Sequence, residues 1–200
     1  MLQENDNKPI EIYGLEPLPE KETTRHEWNS EVDVCEFIGS LIKMHGAKAV
    51  LEIGVFEGET SVKMIQALPI GGYYAGIDVS DYRKHNLERR GVAVDFILSD
   101  SISALKTFPE SHFDFVFVDG DHSYTNILPE LKEIERVIAK GGVIAYHDTL
   151  HIHDVSELMR YVKQDNYNVV TLNTSEGRGL SILQKLWNQL FAVLSRTGRT

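Results

Sequence analysis

The sequence has little cysteine, a deficit of positive charge and no long hydrophobic run. Cys35 is the single cysteine among 200 residues, so no disulfide can form within one chain, and we predict a reducing, cytoplasmic location. No stretch approaches ~18 consecutive apolar residues, so we expect no membrane span. The first residues, MLQENDNKPI, lack the apolar segment of a signal peptide. The net charge of −10 opposes a phosphate backbone, so we expect no nucleic-acid binding.

Strand patterns and helix patterns alternate along most of the chain. Residues 1–30 are polar and contain several prolines, which predicts an irregular N-terminal arm. An amphipathic helix follows from about residue 31. The expected strands are then 49–53, 73–78, 94–98, 113–118 and 142–147, and the expected helices are 60–68, 82–90, 101–106, 126–139 and 155–163. This alternation predicts an α/β fold with a doubly wound, mostly parallel sheet and helices on both faces.

The end of the chain departs from this alternation. Two further strands, 168–172 and 180–184, are joined by the short segment NTSEGRG, which permits only an antiparallel pair. The sequence therefore predicts a seven-stranded, Rossmann-like sheet that ends in an antiparallel hairpin and occupies residues 31–184. Residues 185–200 carry an apolar stripe that predicts an amphipathic C-terminal helix. That helix would pack on its own domain, form a homodimer contact or lie on a membrane surface.

The first predicted strand runs into a glycine turn, VLEIGVFEGETS, at residues 50–61. In an open α/β sheet, ligands bind beyond the carboxyl ends of the strands, which is where this turn lies. Glycines let the backbone turn tightly and approach a ligand, and a helix start offers free N–H groups to an anion. The candidate binding residues of this segment are Gly54, Val55, Phe56, Gly58, Thr60 and Ser61.

Two acidic residues accompany the glycine turn. Glu52 lies inside the strand, where a carboxylate could hold an ammonium group. Asp78 ends the second strand, and a carboxylate about 20 residues beyond the glycines is the expected partner of ribose hydroxyls. The glycine spacing is GxxxG and not the GxGxxG of dinucleotide sites. The pattern favours a ligand with an amino acid head over one with a pyrophosphate.

Acidic and imidazole side chains follow the fourth and fifth predicted strands. Asp119 and His122 belong to VDGDHSY, and His147 and Asp148 belong to IAYHDT. Carboxylates close to a core are costly unless they are compensated. A cation and a network of hydrogen bonds would each provide that compensation.

The segments ExGxxxGxTS, VDGDHSY and GGVIAYHD, with Asp78 after the second strand, together resemble the class I S-adenosylmethionine-dependent methyltransferases. The resemblance covers residues 32–184. It is closest to the small-domain group of bacterial sugar and antibiotic-tailoring O-methyltransferases, and more distant to catechol O-methyltransferase. It implies O-methylation of a small hydroxylated acceptor, such as a sugar or another natural product, with S-adenosylmethionine (SAM) as the cofactor.

The resemblance also implies roles for the residues of the glycine turn. Gly54 and Gly58 would line the methionine portion of SAM, Glu52 would face its amino group and Thr60 its carboxylate. Asp78 would bind the ribose hydroxyls. A separate pair, Asp100 and Ser101 in LSDS, would lie near the adenine. LSDS is also a good helix N-cap, so that alternative stays open.

Metal-dependent relatives in this family bind magnesium with an acid after the fourth strand and two ligands after the fifth. The matching positions are Asp119, His147 and Asp148. An acid is more usual where His147 stands, and imidazole suits manganese, iron or zinc better than magnesium. A divalent cation, magnesium or manganese, and an ion-free pair that orients the acceptor therefore both remain open.

His122 lies three residues after Asp119, where catechol O-methyltransferase carries its general-base lysine. A histidine can take a hydroxyl proton near neutral pH, so His122 and Asp119 are the candidate catalytic residues. The alternative is that His122 only packs on the following helix. At the level of function, the alternatives are a SAM-binding module without activity and an NAD-dependent oxidoreductase.

Overall fold

The computed structural model describes residues 29–162 and 167–186. The elements along the chain are α1 (Val32–His45), β1 (Ala49–Ile53), α2 (Glu59–Ala67), β2 (Tyr73–Asp78), β3 (Ala93–Leu98), α3 (Ser101–Leu105), β4 (Phe113–Val118), α4 (Tyr124–Val137), β5 (Ile138–His147), α5 (His153–Tyr161), β6 (Tyr167–Leu172) and β7 (Leu180–Lys185). The described ranges leave out residues 1–28 of the predicted arm and residues 187–200 of the predicted C-terminal helix.

The seven strands form one sheet in the order β3-β2-β1-β4-β5-β7-β6. The first five of these are parallel, whereas β7 runs antiparallel to both of its neighbours. The predicted mostly parallel sheet with a terminal antiparallel hairpin is confirmed. The order of the strands reverses between β1 and β4, and ligands in such sheets bind beyond the carboxyl ends at that reversal.

Two apolar layers cover the faces of the sheet. One layer contains buried side chains of α1 and α2, and the other contains those of α3, α4 and α5. Strand β4 alternates between them: Phe115 and Phe117 pack with the first layer, and Val116 and Val118 with the second. A strand buried on both faces has to be apolar at nearly every position, which is why β4 reads as a continuous hydrophobic run.

The helix predicted over residues 82–90 is absent, so that prediction was wrong. Side chains in this segment bind the nearby backbone instead: Asp81 accepts a hydrogen bond from the N–H of Arg83, and Asn86 accepts one from the N–H of Glu88. Such local bonds offer the backbone an alternative to helical hydrogen bonding. The segment therefore runs as a loop.

Strand β5 starts four residues earlier than the sequence predicted, at Ile138 and not at residue 142. Ile138 pairs with Phe113, and an irregularity in register separates this pair from the pairing of Phe115 with Val143. The long strand ends at His147, beside the end of β4. Among the described residues, no helix has both the length and the apolar character to cross a bilayer.

Candidate functional site

A cleft of about 820 Å³ lies beyond the carboxyl ends of the parallel strands. This volume is within the range of about 300–1,000 Å³ that small-molecule sites occupy. The predicted site residues that line it are Gly54, Phe56, Asp78, Asp100, Ser101, Asp119, His122 and Asp148. A second, much smaller cavity adjoins it and is lined by the predicted residues Glu52, Gly54, Val55, Phe56, Thr60 and Asp119. Three predicted residues line neither cavity: Gly58, Ser61 and His147.

Gly54 lies where the ends of β1 and β4 meet. Its φ is +88°, and a Cβ atom placed there would lie 2.1 Å from the carbonyl oxygen of Asp119. On both counts only glycine fits, because other residues are strained at this φ and the neighbour is backbone. The absence of a side chain leaves the floor of the cleft as bare backbone at the junction of the two strands.

The carboxylate of Asp78 holds the glycine turn in place. Its Oδ2 accepts hydrogen bonds from the N–H groups of Val55 and Phe56 at 3.0 and 2.9 Å, and its Oδ1 accepts one from Ser80 at 2.9 Å. A carboxylate oxygen has two lone pairs, so Oδ1 retains an acceptor position on the cleft side. Asp78 thus shapes the turn and also lines the cleft, which is compatible with its predicted role toward ribose hydroxyls.

Glu52 is buried, with 1% of its surface exposed. Its Oε2 accepts hydrogen bonds from the hydroxyls of Ser61, at 2.5 Å, and Tyr74. Burial raises the pKa of Glu52 to about 8. Ser61, near the start of α2, therefore donates a hydrogen bond to the Glu52 carboxyl. The predicted contact of Glu52 with an ammonium group would take place through the small cavity.

Asp100 and Ser101 mark the start of α3. Asp100 is the N-cap residue, and its side chain accepts a hydrogen bond of 2.8 Å from the N–H of Ser103. The capping alternative for LSDS is therefore confirmed. Both residues also line the cleft, so the cap and a contact with the cofactor are not exclusive.

Five ionisable side chains meet where β4 and β5 end: Asp119, His122, His147, Asp148 and Arg178, here called the strand-end cluster. The Nε2 atom of His122 lies 3.7 Å from Asp148 Oδ2 and 4.0 Å from Asp119 Oδ1. It is buried and has no hydrogen-bond partner within the described ranges. One ligand atom each from Asp119, His122 and Asp148 lie within 4.8 Å of one another, so these three residues could hold a metal ion.

His147 lies beside Asp119 and Asp148, at the sheet edge where it was predicted, and it also contacts Glu31. Its Nδ1 lies 3.0 Å from Asp119 Oδ1, and its Nε2 lies 2.5 Å from an oxygen of Glu31. Burial alone would lower the pKa of His147, but the carboxylates of Asp119, Glu31 and Asp148 outweigh it and raise the pKa to about 10. Its Nδ1 also lies 3.7 Å from Asp148 Oδ1. The structure adds His122 to the predicted group, and the role of His147 as a metal ligand stays a prediction.

Arg178 was missed by the sequence reasoning. It lies in the connection between β6 and β7 and donates from Nε and Nη2 to the two oxygens of Asp148, at 2.7 and 3.0 Å. A third hydrogen bond, of 2.8 Å, runs from Nη1 to the carbonyl oxygen of Asn29. The predicted hairpin was the sequence signal that could have located Arg178. Because β7 pairs with β5, the connection between β6 and β7 reaches the sheet edge where β5 ends.

The profile of the O-methyltransferase family matches residues 13–177. The chain belongs to the O-methyltransferase family. Caffeoyl-CoA O-methyltransferase of Pinus taeda is 32% identical over 185 residues, which cover 81% of this chain and 71% of the relative. Caffeoyl-CoA O-methyltransferase 1 of Zea mays is 31% identical over 187 residues, with the same coverage.

Solved structures share the fold of this O-methyltransferase at lower identity. An O-methyltransferase from Bacillus cereus in complex with SAH has a TM-score of 0.64 at 20% identity, over 78% of this chain and 82% of the other. The O-methyltransferase TomG from Streptomyces achromogenes, involved in tomaymycin synthesis and in complex with SAM, has a TM-score of 0.65 at 16% identity, over 80% and 82%. The sequence-based assignment to the SAM-dependent O-methyltransferases is confirmed by the family match and the curated relatives.

The charges of the O-methyltransferase site nearly balance. Glu31, Asp119 and Asp148 supply three carboxylates, while His147 and Arg178 supply two positive charges. Burial alone would raise the pKa of Glu31, but its bonds to His147 and Thr174 lower it to about 2. One negative charge therefore remains when the His122 ring is neutral. A proton on His122 would neutralise it, whereas a divalent cation would reverse its sign.

Proposed function

We propose that this chain transfers the methyl group of SAM to a hydroxyl of a small acceptor bound in the cleft. The observation that carries the proposal is the position of His122 Nε2, which is buried, without a partner in the described structure, and beside two carboxylates. Methyl transfer to oxygen requires removal of the hydroxyl proton, and this nitrogen is a basic atom beside the acidic pair that makes no hydrogen bond in the described structure.

We place SAM along the sheet end from β1 to β3. Gly54 and Thr60 would border its methionine part, Asp78 would accept from the ribose hydroxyls, and Asp100 and Ser101 would border the adenine. Gly54 supports this placement, because it lines the cleft where the ends of β1 and β4 meet. The sulfonium would then face the strand-end cluster.

In the reaction we propose, Asp119 and Asp148 position the acceptor hydroxyl beside His122. The bond between sulfur and the methyl carbon breaks as the bond between that carbon and the acceptor oxygen forms. The hydroxyl proton passes to Nε2 of His122. The products are S-adenosylhomocysteine (SAH) and the methyl ether, and His122 later releases its proton to water.

The residues of the cluster also fit a divalent cation, because the orphaned His122 nitrogen points toward two carboxylates. Asp119, His122 and Asp148 would hold it. Two carboxylates and one imidazole suit manganese better than magnesium. Such an ion would supply a Lewis acid that lowers the pKa of the acceptor hydroxyl. With the ion in place, His122 would be its ligand and not the base.

The candidate acceptors are caffeoyl-CoA, after which the relatives are named, and a sugar or other natural product. We expect no nucleic acid as partner, because the net charge is −10. A cytoplasmic location and a homodimer contact through residues 185–200 are further expectations. A SAM-binding module without activity is the alternative function.

The test combines binding with turnover. Thermal unfolding is measured with SAM, SAH or NAD, each with Mn²⁺, Mg²⁺ or EDTA. SAM and SAH should stabilise the protein, and NAD should not. A ligand at ~100 times its Kd stabilises by ~2.7 kcal/mol, or roughly 5–11 °C for a chain of this size. SAH release with caffeoyl-CoA, catechols and sugars then tests activity. SAM binding without turnover on any acceptor would favour the binding module, and no SAM binding would overturn the proposal.

A further inference from the structure

Arg178 joins the strand-end cluster to the start of the described chain. Its fork donates to both oxygens of Asp148, and its remaining terminal nitrogen donates to the carbonyl oxygen of Asn29. The side chain of Arg178 is 14% exposed and that of Asp148 is 5% exposed. A bidentate pair shielded from water in this way is the strong form of an arginine–carboxylate interaction.

Asp148 is also one of the three residues that would hold a divalent cation. Its oxygens already accept from Arg178, so a cation would have to share them with a guanidinium. The guanidinium also places a positive charge next to the ion's ligand, and like charges repel more strongly in a site with little water. Asp119 is compensated in the same way, by His147 on one oxygen and by the hydroxyl of Ser30 on the other.

We propose that Arg178 is a built-in competitor of the divalent cation at Asp148. The positive charge of Arg178 compensates the carboxylate that a metal ion would otherwise bind. The ion therefore binds only when Arg178 releases its two hydrogen bonds to Asp148. The inference rests on the proposed function, since it concerns the acceptor end of the same methyltransferase site. It assigns Arg178 as a positioning residue that sets the cation affinity of the enzyme.

The measurement is Mn²⁺ binding to the full chain without acceptor, followed by the electron paramagnetic resonance signal of free Mn²⁺. Arg178→Met removes the charge and keeps a long side chain, so it should tighten Mn²⁺ binding at least tenfold, or about 1.4 kcal/mol. Arg178→Lys keeps the charge and should stay within about threefold of the parent protein. Arg160→Met is the matched control, because Arg160 pairs with Glu157 on α5 and is 73% exposed. It should change the affinity by less than about twofold.

Unchanged or weaker Mn²⁺ binding by Arg178→Met would overturn the competition and make Arg178 a support of the ion site. The absence of Mn²⁺ binding at millimolar concentration in both the parent protein and Arg178→Met would overturn it as well. The thermal shift with SAM, measured on the same samples, reports separately on the proposed function. If Arg178→Met fails to fold, Arg178→Gln removes the charge while keeping a donor for Asn29, and the same tightening is expected.

Discussion

Nε2 of His147, the last residue of β5, lies 2.5 Å from the carboxylate of Glu31, the residue before α1. Both side chains are buried. Hydrogen bonds to charged groups contribute about 1.5–3 kcal/mol, so Glu31→Gln should lower the free energy of unfolding by about 2 kcal/mol. Asp33→Asn, an exposed change in the first turn of the same helix, should cost less than about 1 kcal/mol. Urea unfolding compares the two, and equal effects would show that the buried pair adds little.

The proposed role of Asp78 in cofactor binding predicts a loss of SAM affinity in Asp78→Ala. The Kd for SAM, measured by calorimetry, should rise at least tenfold, because both the ribose contact and the support of the glycine turn disappear. Asp81→Ala is the control, since Asp81 lies three residues after Asp78, is exposed and pairs with Arg83. A Kd in Asp78→Ala equal to that of the control would remove Asp78 from the cofactor site.

His122→Ala separates the two roles that the strand-end cluster allows. Loss of a general base should slow turnover by about 10²–10⁴-fold while leaving SAM affinity within about twofold. His153→Ala, at an exposed position on α5, should keep full activity. Mn²⁺ affinity distinguishes base from ligand: a base role leaves it nearly unchanged, whereas a ligand role predicts a large loss. Full turnover in His122→Ala would contradict both roles.

Gly54 and Gly71 make a matched pair of glycines. Both have positive φ, +88° and +83°, but a Cβ atom would meet backbone only at Gly54 and open space at Gly71. Gly71→Ala should cost about 1–2 kcal/mol, the ordinary penalty of a left-handed conformation. Gly54→Ala should cost at least about 2 kcal/mol more and should abolish SAM binding. Similar unfolding free energies for the two variants would mean that the junction of β1 and β4 relaxes freely.

Glu130 gives the protein a pH-dependent stability. It is buried on α4, and burial raises its pKa to about 7 from 4.5, against the opposing effect of Ser101 and Asn126 nearby. Because the folded state binds this proton more tightly, its contribution is fully present below pH 4.5 and is lost as the pH rises through 7. Relative to Glu130→Gln, the parent protein should lose roughly 3 kcal/mol between pH 4.5 and 8.

Urea unfolding of the parent protein and Glu130→Gln at several pH values tests this prediction. Every other titrating group is shared, so the difference in unfolding free energy isolates Glu130. A buried amide adds its own cost, but that cost does not vary with pH. A difference that stays constant between pH 5 and 8 would assign the pH dependence to other groups.

The sequence was sufficient to predict the strands of the sheet, because the inner strands are buried on both faces. Strands β1, β2 and β4 have the predicted bounds, since a run of apolar residues between turn residues leaves little freedom. It was insufficient at residues 82–90, where the side chains of Asp81 and Asn86 bind their own backbone. A periodic pattern does not reveal that competition.

The site was predictable where it depends on the topology of the sheet and unpredictable where it depends on distant side chains. Asp119 and Asp148 come together because β4 and β5 are neighbours. The second contact of the His147 ring depends on Glu31, which lies 116 residues from it. The contact of Arg178 with Asp148 depends on where the hairpin of β6 and β7 packs. No local pattern encodes either contact.

The contacts of the last hairpin with the start of α1 also order events during synthesis of the chain. Arg178 bonds to Asn29 across 149 residues, and Thr174 bonds to Glu31 across 143. Domains fold as units as they are synthesised. Asp148 can therefore gain its guanidinium partner only after nearly the whole domain has left the ribosome. A chain that stops before β7 would lack both of these contacts.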